Sequence, residues 1–252
     1  MRVSLEVIPR DIENLEKTLN AALAYPEIGL MNIPDMLRFS VRSWEGCGFI
    51  IDKMENNPER FIMIPHIRAI DFDMDKPFPY VKFFREKGIK EALIISGDPP
   101  EDTGYYIHET ETPAFIKKIK SEIPDLKIYA AFDPYRSNIR YELDYLKEKE
   151  EAGADGFFSQ PFFDLRLIEI YAEYLEGKNV FWGISPVISN ASRNYWESRN
   201  RAIFPRSFKP DLRWNIDFGR RVLDFCRNTG FNLYMMPVRL DIGTYLAELF
   251  TK

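Results

Sequence analysis

Short apolar segments alternate with longer amphipathic segments along almost the whole chain. Eight apolar runs, flanked by turn-forming Pro and Gly, have the length and composition of β-strands: Val3–Ile8, Ile28–Ile33, Phe61–Ile67, Ala92–Ser96, Ile128–Phe132, Gly156–Gln160, Val180–Ile184 and Leu233–Val238. Between them, apolar residues spaced by three and four positions predict helices: Asp11–Leu23, Pro79–Lys87, Thr112–Ile119, Asn138–Ala152, Leu165–Leu175 and Phe218–Cys226. Strands that alternate with helices predict a parallel sheet, and eight such units close into a (β/α)8 TIM barrel.

An open, doubly wound sheet is the competing fold. That fold usually has a Gly-rich loop after its first strand, but here the loop reads IPRDIEN and has no glycine. The length of 252 residues also suits one barrel, because such barrels typically take about 250 residues. We therefore expect a single α/β barrel domain over residues 1–252. The less regular stretches near 34–60 and 189–217 are expected to form insertions at its mouth.

Composition and charge limit the partners and the cellular location that we expect for the protein. Hydrophobic residues make up 45% of the chain and charged residues 29%, as in globular proteins generally. The net charge of −5 argues against a nucleic-acid partner held by phosphate neutralisation. No apolar run is long enough for a membrane span, and the first residues lack the pattern of a signal peptide. The sequence therefore predicts a cytoplasmic protein without a membrane partner.

Several kinds of chemistry lack their residues. Cys47, Cys226, His66 and His108 are too scattered along the chain for a disulfide framework, an iron–sulfur cluster or a zinc site. No GxSxG elbow or GxxxxGK[ST] loop is present, and no lysine lies inside a predicted strand to form a Schiff base. A mouth with few ionisable groups suits a flat organic cofactor that carries the difficult chemistry.

The first strand carries an unusual carboxylate. Alternation along the strand places Val3, Leu5 and Val7 on one face and Glu6 on the other. The apolar face suits packing against helices, so we expect Glu6 to point into the barrel. A buried carboxylate is costly unless it is paired, and the strand alone leaves catalysis and a simple ion pair equally open.

Other strand ends also carry polar residues, at the edge where barrel enzymes place their active sites. His66 ends the third strand, where it either binds a ligand or packs as a satisfied polar group. Gly97 and Asp98 follow the fourth strand, and they form either a ligand contact or a plain capped turn. The amide of Gln160 suits the edge of a heterocycle, and Arg239 suits an anion or a neighbouring carboxylate.

Together, these strand ends resemble the FAD-dependent catalytic domain of the methylenetetrahydrofolate reductase family. Each motif is weak alone, but their order along the chain is fairly specific. The motifs are SLEVIPR (4–10), PHIRAID (65–71), ALIISGDPP (92–100), LKEKEEAGADGFFSQPFFD (146–164), GISPVIS (183–189) and, more faintly, YMMPVR (234–239).

The resemblance implies an enzyme in which NAD(P)H reduces FAD, which then passes a hydride to 5,10-methylenetetrahydrofolate to give 5-methyltetrahydrofolate. It implies that Glu6 is the catalytic acid, that Asp98 lies beside the flavin pyrimidine edge, and that Gln160 contacts folate and nicotinamide in turn. We count Arg239 with Gln160 as a substrate contact. The implied FAD contacts are Asn32, His66, Ser96, Gly97, Asp98, Phe132, Glu142 and Lys149, the last one at the diphosphate.

The chain departs from the family pattern at several positions. The family usually has Arg where this chain has Ser96. The loop DPYRSNIRY after the fifth strand is shorter than the family's loop. Ser189 and its neighbours stand where the family has an aromatic residue that stacks on folate. These departures keep two alternatives open. One is a flavin-free enzyme that binds a folate or pterin and transfers a methyl or methylene group. The other is a non-catalytic folate-binding partner subunit on the same barrel.

Partners are less constrained. Electrons from ferredoxin would require an electron-donating partner subunit, because two cysteines cannot hold a cluster. The aromatic residues Phe204, Phe208, Trp214 and Phe218 lie in or beside the second irregular stretch. They predict either a core beneath that stretch, which we favour, or a contact in a homo-oligomer.

Overall fold

The computed structural model describes residues 1–99, 105–238 and 240–250. Within these residues, eight parallel strands follow one another around a closed barrel, which confirms the predicted (β/α)8 fold. The strands are β1 (Val3–Glu6), β2 (Ile28–Ile33), β3 (Ile62–Arg68), β4 (Glu91–Ile95), β5 (Lys127–Phe132), β6 (Gly156–Pro161), β7 (Val180–Ile184) and β8 (Asn232–Met235). Each begins and ends within three residues of its predicted bounds.

The helices surround the barrel. They are α1 (Ile12–Leu23), α2 (Ser43–Lys53), α3 (Val81–Lys87), α4 (Thr112–Glu122), α5 (Ile139–Glu151), α6 (Leu165–Tyr174), α7 (Asn190–Asn200), α8 (Leu212–Thr229) and α9 (Ile242–Phe250). The less regular stretches contain α2 and α7, each with loops around it. Helix α8 begins before its predicted start because the Asp211 side chain accepts a hydrogen bond from Trp214 N and caps it. No helix in the described ranges is long and apolar enough to cross a membrane.

The side chains of the strands sort into two layers. Val3, Leu5 and Val7 lie in the layer between barrel and helices, as their spacing predicts. The barrel interior is filled by a separate cluster of Leu30, Ile64, Leu93, Tyr129, Phe158, Phe181, Tyr234 and Met236. The interior is therefore a packed core, and polar chemistry is confined to its ends.

A partly buried ion pair lies at the N-terminal end of the barrel. The Arg2 guanidinium donates to both carboxylate oxygens of Glu91, at 2.9 and 3.0 Å, and to the Tyr129 hydroxyl at 2.6 Å. Tyr129 in turn donates to Glu91 at 3.0 Å. This end is therefore filled, and the predicted site residues lie at the opposite end of the barrel.

A third cluster covers the rim near the end of β6. Tyr135, Phe163, Val187, Ala202 and Phe208 are buried there, and Trp196, Phe204 and Trp214 pack against them. The aromatic residues around 204–214 thus form a core beneath their own loop, in agreement with the interpretation that we favoured.

Candidate active site at the barrel mouth

Glu6 is the last residue of β1, which pairs with β8 where the barrel closes. Tyr234 is buried below the mouth, with 3% of its surface exposed, and its hydroxyl donates a hydrogen bond to Glu6 Oε2. This contact with an interior residue confirms that Glu6 points inward. Burial raises the pKa of Glu6 to about 7, although the hydrogen bond from Tyr234 acts to lower it. A carboxyl group with this pKa both holds and releases a proton near neutral pH.

A hydrogen-bonded chain runs beside Glu6 across β1, β2 and β3. Asn32 Nδ2 donates to Ser4 Oγ at 2.5 Å, and Asn32 Oδ1 lies 3.2 Å from His66 Nε2. Because the amide oxygen can only accept, Nε2 carries the hydrogen. Burial lowers the pKa of His66 to about 3, so the ring is neutral. Its Nδ1 is then a hydrogen-bond acceptor that the described residues leave unused.

The segment after β4 has a backbone conformation that requires glycine, and a hydrogen bond to its backbone fixes its position. Gly97 has a φ of +89°, and a Cβ there would lie 2.9 Å from the Ile70 side chain and 3.0 Å from Arg68. Arg68 Nη2 donates to the carbonyl oxygen of Asp98 at 2.7 Å. The Asp98 carboxylate remains exposed at the rim. Ser96 Oγ is 2.9 Å from Thr112 Oγ1 at the start of α4.

Gln160 lies near the end of β6, next to an irregularity of the sheet. The pairing of β6 with β7 shifts register between Phe158 and Pro161. A Cβ at Gly183 would lie 2.6 Å from Ser159 O and 2.9 Å from Gln160 O, so only glycine fits there. The Gln160 side chain is partly exposed, and none of its described neighbours hydrogen-bonds its amide. It is free to contact a ligand.

Three of the residues that the resemblance assigns to FAD do not face the mouth. The ring of Phe132 is buried between barrel and helices against Phe162, Tyr171 and Trp182. A contact between this side chain and a ligand in the mouth is therefore incompatible with the structure, because β5 turns the ring outward.

Glu142 and Lys149 are the other two, and both are buried on the inner face of α5. Glu142 accepts from Asp133 N at 3.1 Å and from Arg136 Nη2 at 3.2 Å. Lys149 Nζ donates to Ala131 O at 2.7 Å, and burial lowers the pKa of Lys149 to about 8. Both side chains already stabilise the end of β5 and the loop after it.

The donor and acceptor groups at the mouth therefore fit the flavin ring of FAD better than its diphosphate. His66, Asp98 and Gln160 offer unused polar groups to the edge of a flat ring. Lys149, expected at the diphosphate, would have to give up its bond to Ala131. Arg239, expected at the substrate, lies outside the described residues.

A charged network in the loops that follow β2 and β3 was not predicted. Arg42 Nε and Nη2 donate to the two oxygens of buried Asp35 at 2.8 and 2.6 Å, and Nη2 also reaches Asp71 at 3.2 Å. Ser43 Oγ donates to His66 O at 2.6 Å. These bonds tie the loop before α2 to the end of β3. The pattern gave little sign of them, because the partners lie in loops.

An open cavity of about 440 Å³ adjoins Glu6. It lies between the start of α1 and the segment after β8. Its lining consists of Glu6, Ile8, Arg10, Asn14, Lys17, Thr18, Pro237, Leu240, Asp241 and Ile242. The cavity gives the carboxyl group of Glu6 access to a ligand.

The closed barrel carries at its mouth a carboxyl group, that of Glu6, whose pKa is raised to about 7. This arrangement is typical of the active site of a barrel enzyme. Residues 46–214 match the family model for methylenetetrahydrofolate reductase. Since this match covers more than half of the chain, the protein belongs to the methylenetetrahydrofolate reductase family. The matched segment includes His66, Asp98 and Gln160 but not β1 or β8.

One curated relative is the 5,10-methylenetetrahydrofolate reductase of Buchnera aphidicola subsp. Schizaphis graminum. It is 24% identical over 150 residues, which are 56% of this chain and 50% of the relative. The chain thus spans about half the length of the curated relative that it matches.

Two solved structures share the fold. An uncharacterised protein from Clostridium thermocellum, which binds two copies of 5-methyl-5,6,7,8-tetrahydrofolic acid, aligns with a TM-score of 0.63 at 13% identity, over 98% of this chain and 93% of that one. An oxaloacetate acetylhydrolase aligns with a TM-score of 0.59 at 11% identity, over 98% and 79%. At these identities the likeness shows the fold alone.

Proposed function

We propose that the protein reduces 5,10-methylenetetrahydrofolate to 5-methyltetrahydrofolate at the barrel mouth, with Glu6 as the proton donor. The observation that carries the proposal is the partly buried carboxyl group of Glu6 at the C-terminal end of β1, whose pKa burial raises to about 7. Family membership supports the reaction class. The methyltetrahydrofolate bound by the Clostridium thermocellum protein supports the substrate class.

Glu6 addresses the first difficulty of this reaction. The bridging ring of the substrate opens when the bond from the bridging carbon to one nitrogen breaks, which leaves an iminium ion at the other nitrogen. The departing nitrogen takes up a proton, and the carboxyl group of Glu6 supplies it. Tyr234 then donates its hydrogen bond to the carboxylate that remains, which stabilises the charge formed in the barrel.

The polar groups around the mouth orient the ring system. The Gln160 amide both donates and accepts, which suits the edge of a pterin and of a nicotinamide in turn. The Asp98 carboxylate accepts from ring N–H groups, and its position is set by the bond from Arg68 to its backbone. Neutral His66 adds an acceptor at Nδ1.

When bound, FAD supplies the hydride transfer from NAD(P)H to the opened substrate. His66, Gly97 and Asp98, at the ends of β3 and β4, are the residues that would hold its ring. Lys149 is committed to Ala131 in the structure, so the diphosphate would depend on other cations at the rim. Arg136 lies in the loop before α5 with its side chain half-exposed, and its bonds to Glu142 use Nη2. It is our candidate, because its other N–H groups form no hydrogen bond with the described residues.

The substitution Glu6→Gln tests the proposal. It removes the proton but keeps an oxygen that accepts from Tyr234, so we expect methyltetrahydrofolate formation to fall about 100-fold or more. Binding of methyltetrahydrofolate, measured by calorimetry, should change only a few-fold. Glu86→Gln, an exposed residue of α3, is the matched control. An unchanged rate in Glu6→Gln would remove Glu6 from the mechanism.

A second candidate is a flavin-free enzyme that binds a folate or pterin and transfers a methyl or methylene group. The burial and pairing of Glu142 and Lys149 favour it, because these groups are not free for a dinucleotide. Titration with FAD separates the two. Saturable binding of FAD, followed by its reduction by NAD(P)H, supports the reductase. Folate binding without any response to FAD supports the transferase. The same result is also expected of a folate-binding subunit that works with an electron-donating partner.

A further inference from the structure

Two cavities lie in line on the outside of the barrel, between α6 and α8. The first, of about 620 Å³, is at the end of these helices nearer the mouth, and Trp214 and Phe218 contribute to its lining. The second, of about 790 Å³, is at the other end, where Phe225 and Phe231 line it together with the end of α6. Glu169 of α6 belongs to both linings. The two cavities therefore form one continuous groove, which we call the α6/α8 groove.

The outer surface of α6 beside this groove is apolar as well. Ile170 and Tyr174 are one helical turn apart, with 42% and 61% of their surface exposed. Among the helices of the described residues, α6 alone has two large apolar side chains exposed one turn apart. In the groove itself, Trp214 and Phe225 of α8 are partly exposed. Exposed apolar surface with a charged rim is typical of a contact between proteins.

The charge of the groove reverses along its length. The half nearer the mouth, residues 164–166 and 205–221, has six cations and three carboxylates. The other half, residues 167–178 and 222–231, has four carboxylates and two cations. The opposing groups are Asp164, Asp211 and Asp217 in the first half, and Lys178 and Arg227 in the second.

Ion pairs within the chain neutralise three of these opposing groups. In the first cavity, Arg206 and Arg221 are exposed and form no ion pair with the described residues. In the second, the same holds for Glu173 and Glu176. The uncompensated charge is therefore positive at one end of the groove and negative at the other. The three pairs are Asp164 with Arg166 at 2.5 Å, Lys178 with Glu150 of α5 at 2.6 Å, and Arg227 with Asp224 at 3.1 Å.

We propose that two copies of this chain bind to each other through the α6/α8 groove, about a twofold axis perpendicular to it. The helices of the two copies then run antiparallel, and the exposed apolar surface of α6 is covered. Arg206 and Arg221 face Glu173 of the partner subunit and Glu176 of the partner subunit. Twofold symmetry repeats this contact on the other side of the axis. A twofold axis along the groove would instead place like charges opposite each other, which is costly.

The charge pattern predicts how variants of the two ends will pair. Arg206→Glu/Arg221→Glu makes both ends of the groove negative, and Glu173→Arg/Glu176→Arg makes both ends positive. Each variant alone can therefore form only a dimer with like charges in contact. In a heterodimer of the two variants, every contact again joins opposite charges. This inference does not depend on the reaction at the mouth, so its test is separate from that of the proposed function.

Sedimentation velocity between about 1 and 100 µM covers the affinities expected of an interface of modest size. We expect the wild type to dimerise, and its dimer to weaken as salt rises. Each charge variant alone should dimerise about 100-fold or more weakly. An equimolar mixture of the two should form a heterodimer with about the affinity of the wild type. The chain that carries all four substitutions should dimerise by itself, since it exchanges the two ends of the groove.

Lys82→Glu/Lys147→Glu is the matched control. It changes the net charge by the same amount as Arg206→Glu/Arg221→Glu, but its residues lie in exposed ion pairs on α3 and α5. It should dimerise like the wild type. A wild type that stays monomeric over the whole range overturns the proposal. A wild-type dimer that the two groove variants do not weaken, or a mixture of these variants that does not associate, overturns it as well.

Discussion

The hydrogen bond from Tyr234 to Glu6 should set the pH range in which the enzyme works. Tyr234→Phe removes the hydroxyl but keeps the ring, which lies edge-on against Phe158 at 5.1 Å. The bond favours the ionised carboxylate and so lowers the pKa of Glu6, whereas burial raises it. Without the bond, burial acts alone. The pKa of Glu6 should therefore rise above its wild-type value of about 7.

The size of the shift follows from the strength of the bond. A hydrogen bond to a charged group contributes about 1.5–3 kcal/mol, and one pKa unit corresponds to about 1.4 kcal/mol. We expect a rise of about one to two units. A proton donor must be protonated, so wild-type activity should fall as the pH rises through about 7. In Tyr234→Phe the same fall should occur about one to two pH units higher.

The assay is the pH dependence of kcat/KM for methylenetetrahydrofolate reduction between pH 5 and 10. Tyr129→Phe is the matched control, because Tyr129 is a buried tyrosine on the same inner face that hydrogen-bonds a carboxylate at the closed end of the barrel. It should cost stability without moving the profile. A limb in Tyr234→Phe that stays in place or moves to lower pH would refute the assignment of that limb to Glu6.

Three further predictions concern stability. Glu6→Gln should have nearly the same free energy of unfolding as the wild type below pH 4.5, and above pH 7 the variant should be more stable by up to about 3 kcal/mol. The reason is that the raised folded-state pKa of Glu6 makes the wild type lose stability between these two pH values. Urea titrations at pH 4.5 and 8 measure the difference. Gly183→Ala should destabilise by about 1–3 kcal/mol, since its Cβ meets backbone oxygens, whereas Gly29→Ala, with open space, should not; equal melting temperatures would contradict this. Lys149→Met should cost about 1–3 kcal/mol without any ligand, because Ala131 O loses its donor; a change seen only with FAD present would instead favour a cofactor contact.

The sequence pattern was sufficient for the barrel and for the orientation of Glu6. Period-two alternation in β1 requires that Glu6 face opposite to Val3 and Leu5, and the structure agrees. The partner of Glu6 was not predictable in the same way. Tyr234 lies 228 positions away, and only closure of the barrel between β1 and β8 brings the two together.

The residues implied by the resemblance lie in different parts of the fold for a physical reason. His66, Asp98 and Gln160 are at strand ends, where the fold itself directs side chains to the mouth. Glu142 and Lys149 are seven positions apart on α5, and this spacing puts both on one helix face. Leu146 lies on that face and is buried, so the helical pattern itself indicates burial for them. Helix α9 was missed because its short apolar sequence follows closely on β8.

The most direct test of the central claim is the visible absorption spectrum of the purified protein under anaerobic conditions, recorded after incubation with FAD and removal of the unbound FAD. We expect an oxidised-flavin spectrum that NAD(P)H bleaches and 5,10-methylenetetrahydrofolate restores, with 5-methyltetrahydrofolate as the product. A protein that is colourless after this treatment and leaves methylenetetrahydrofolate unchanged would contradict the proposed function.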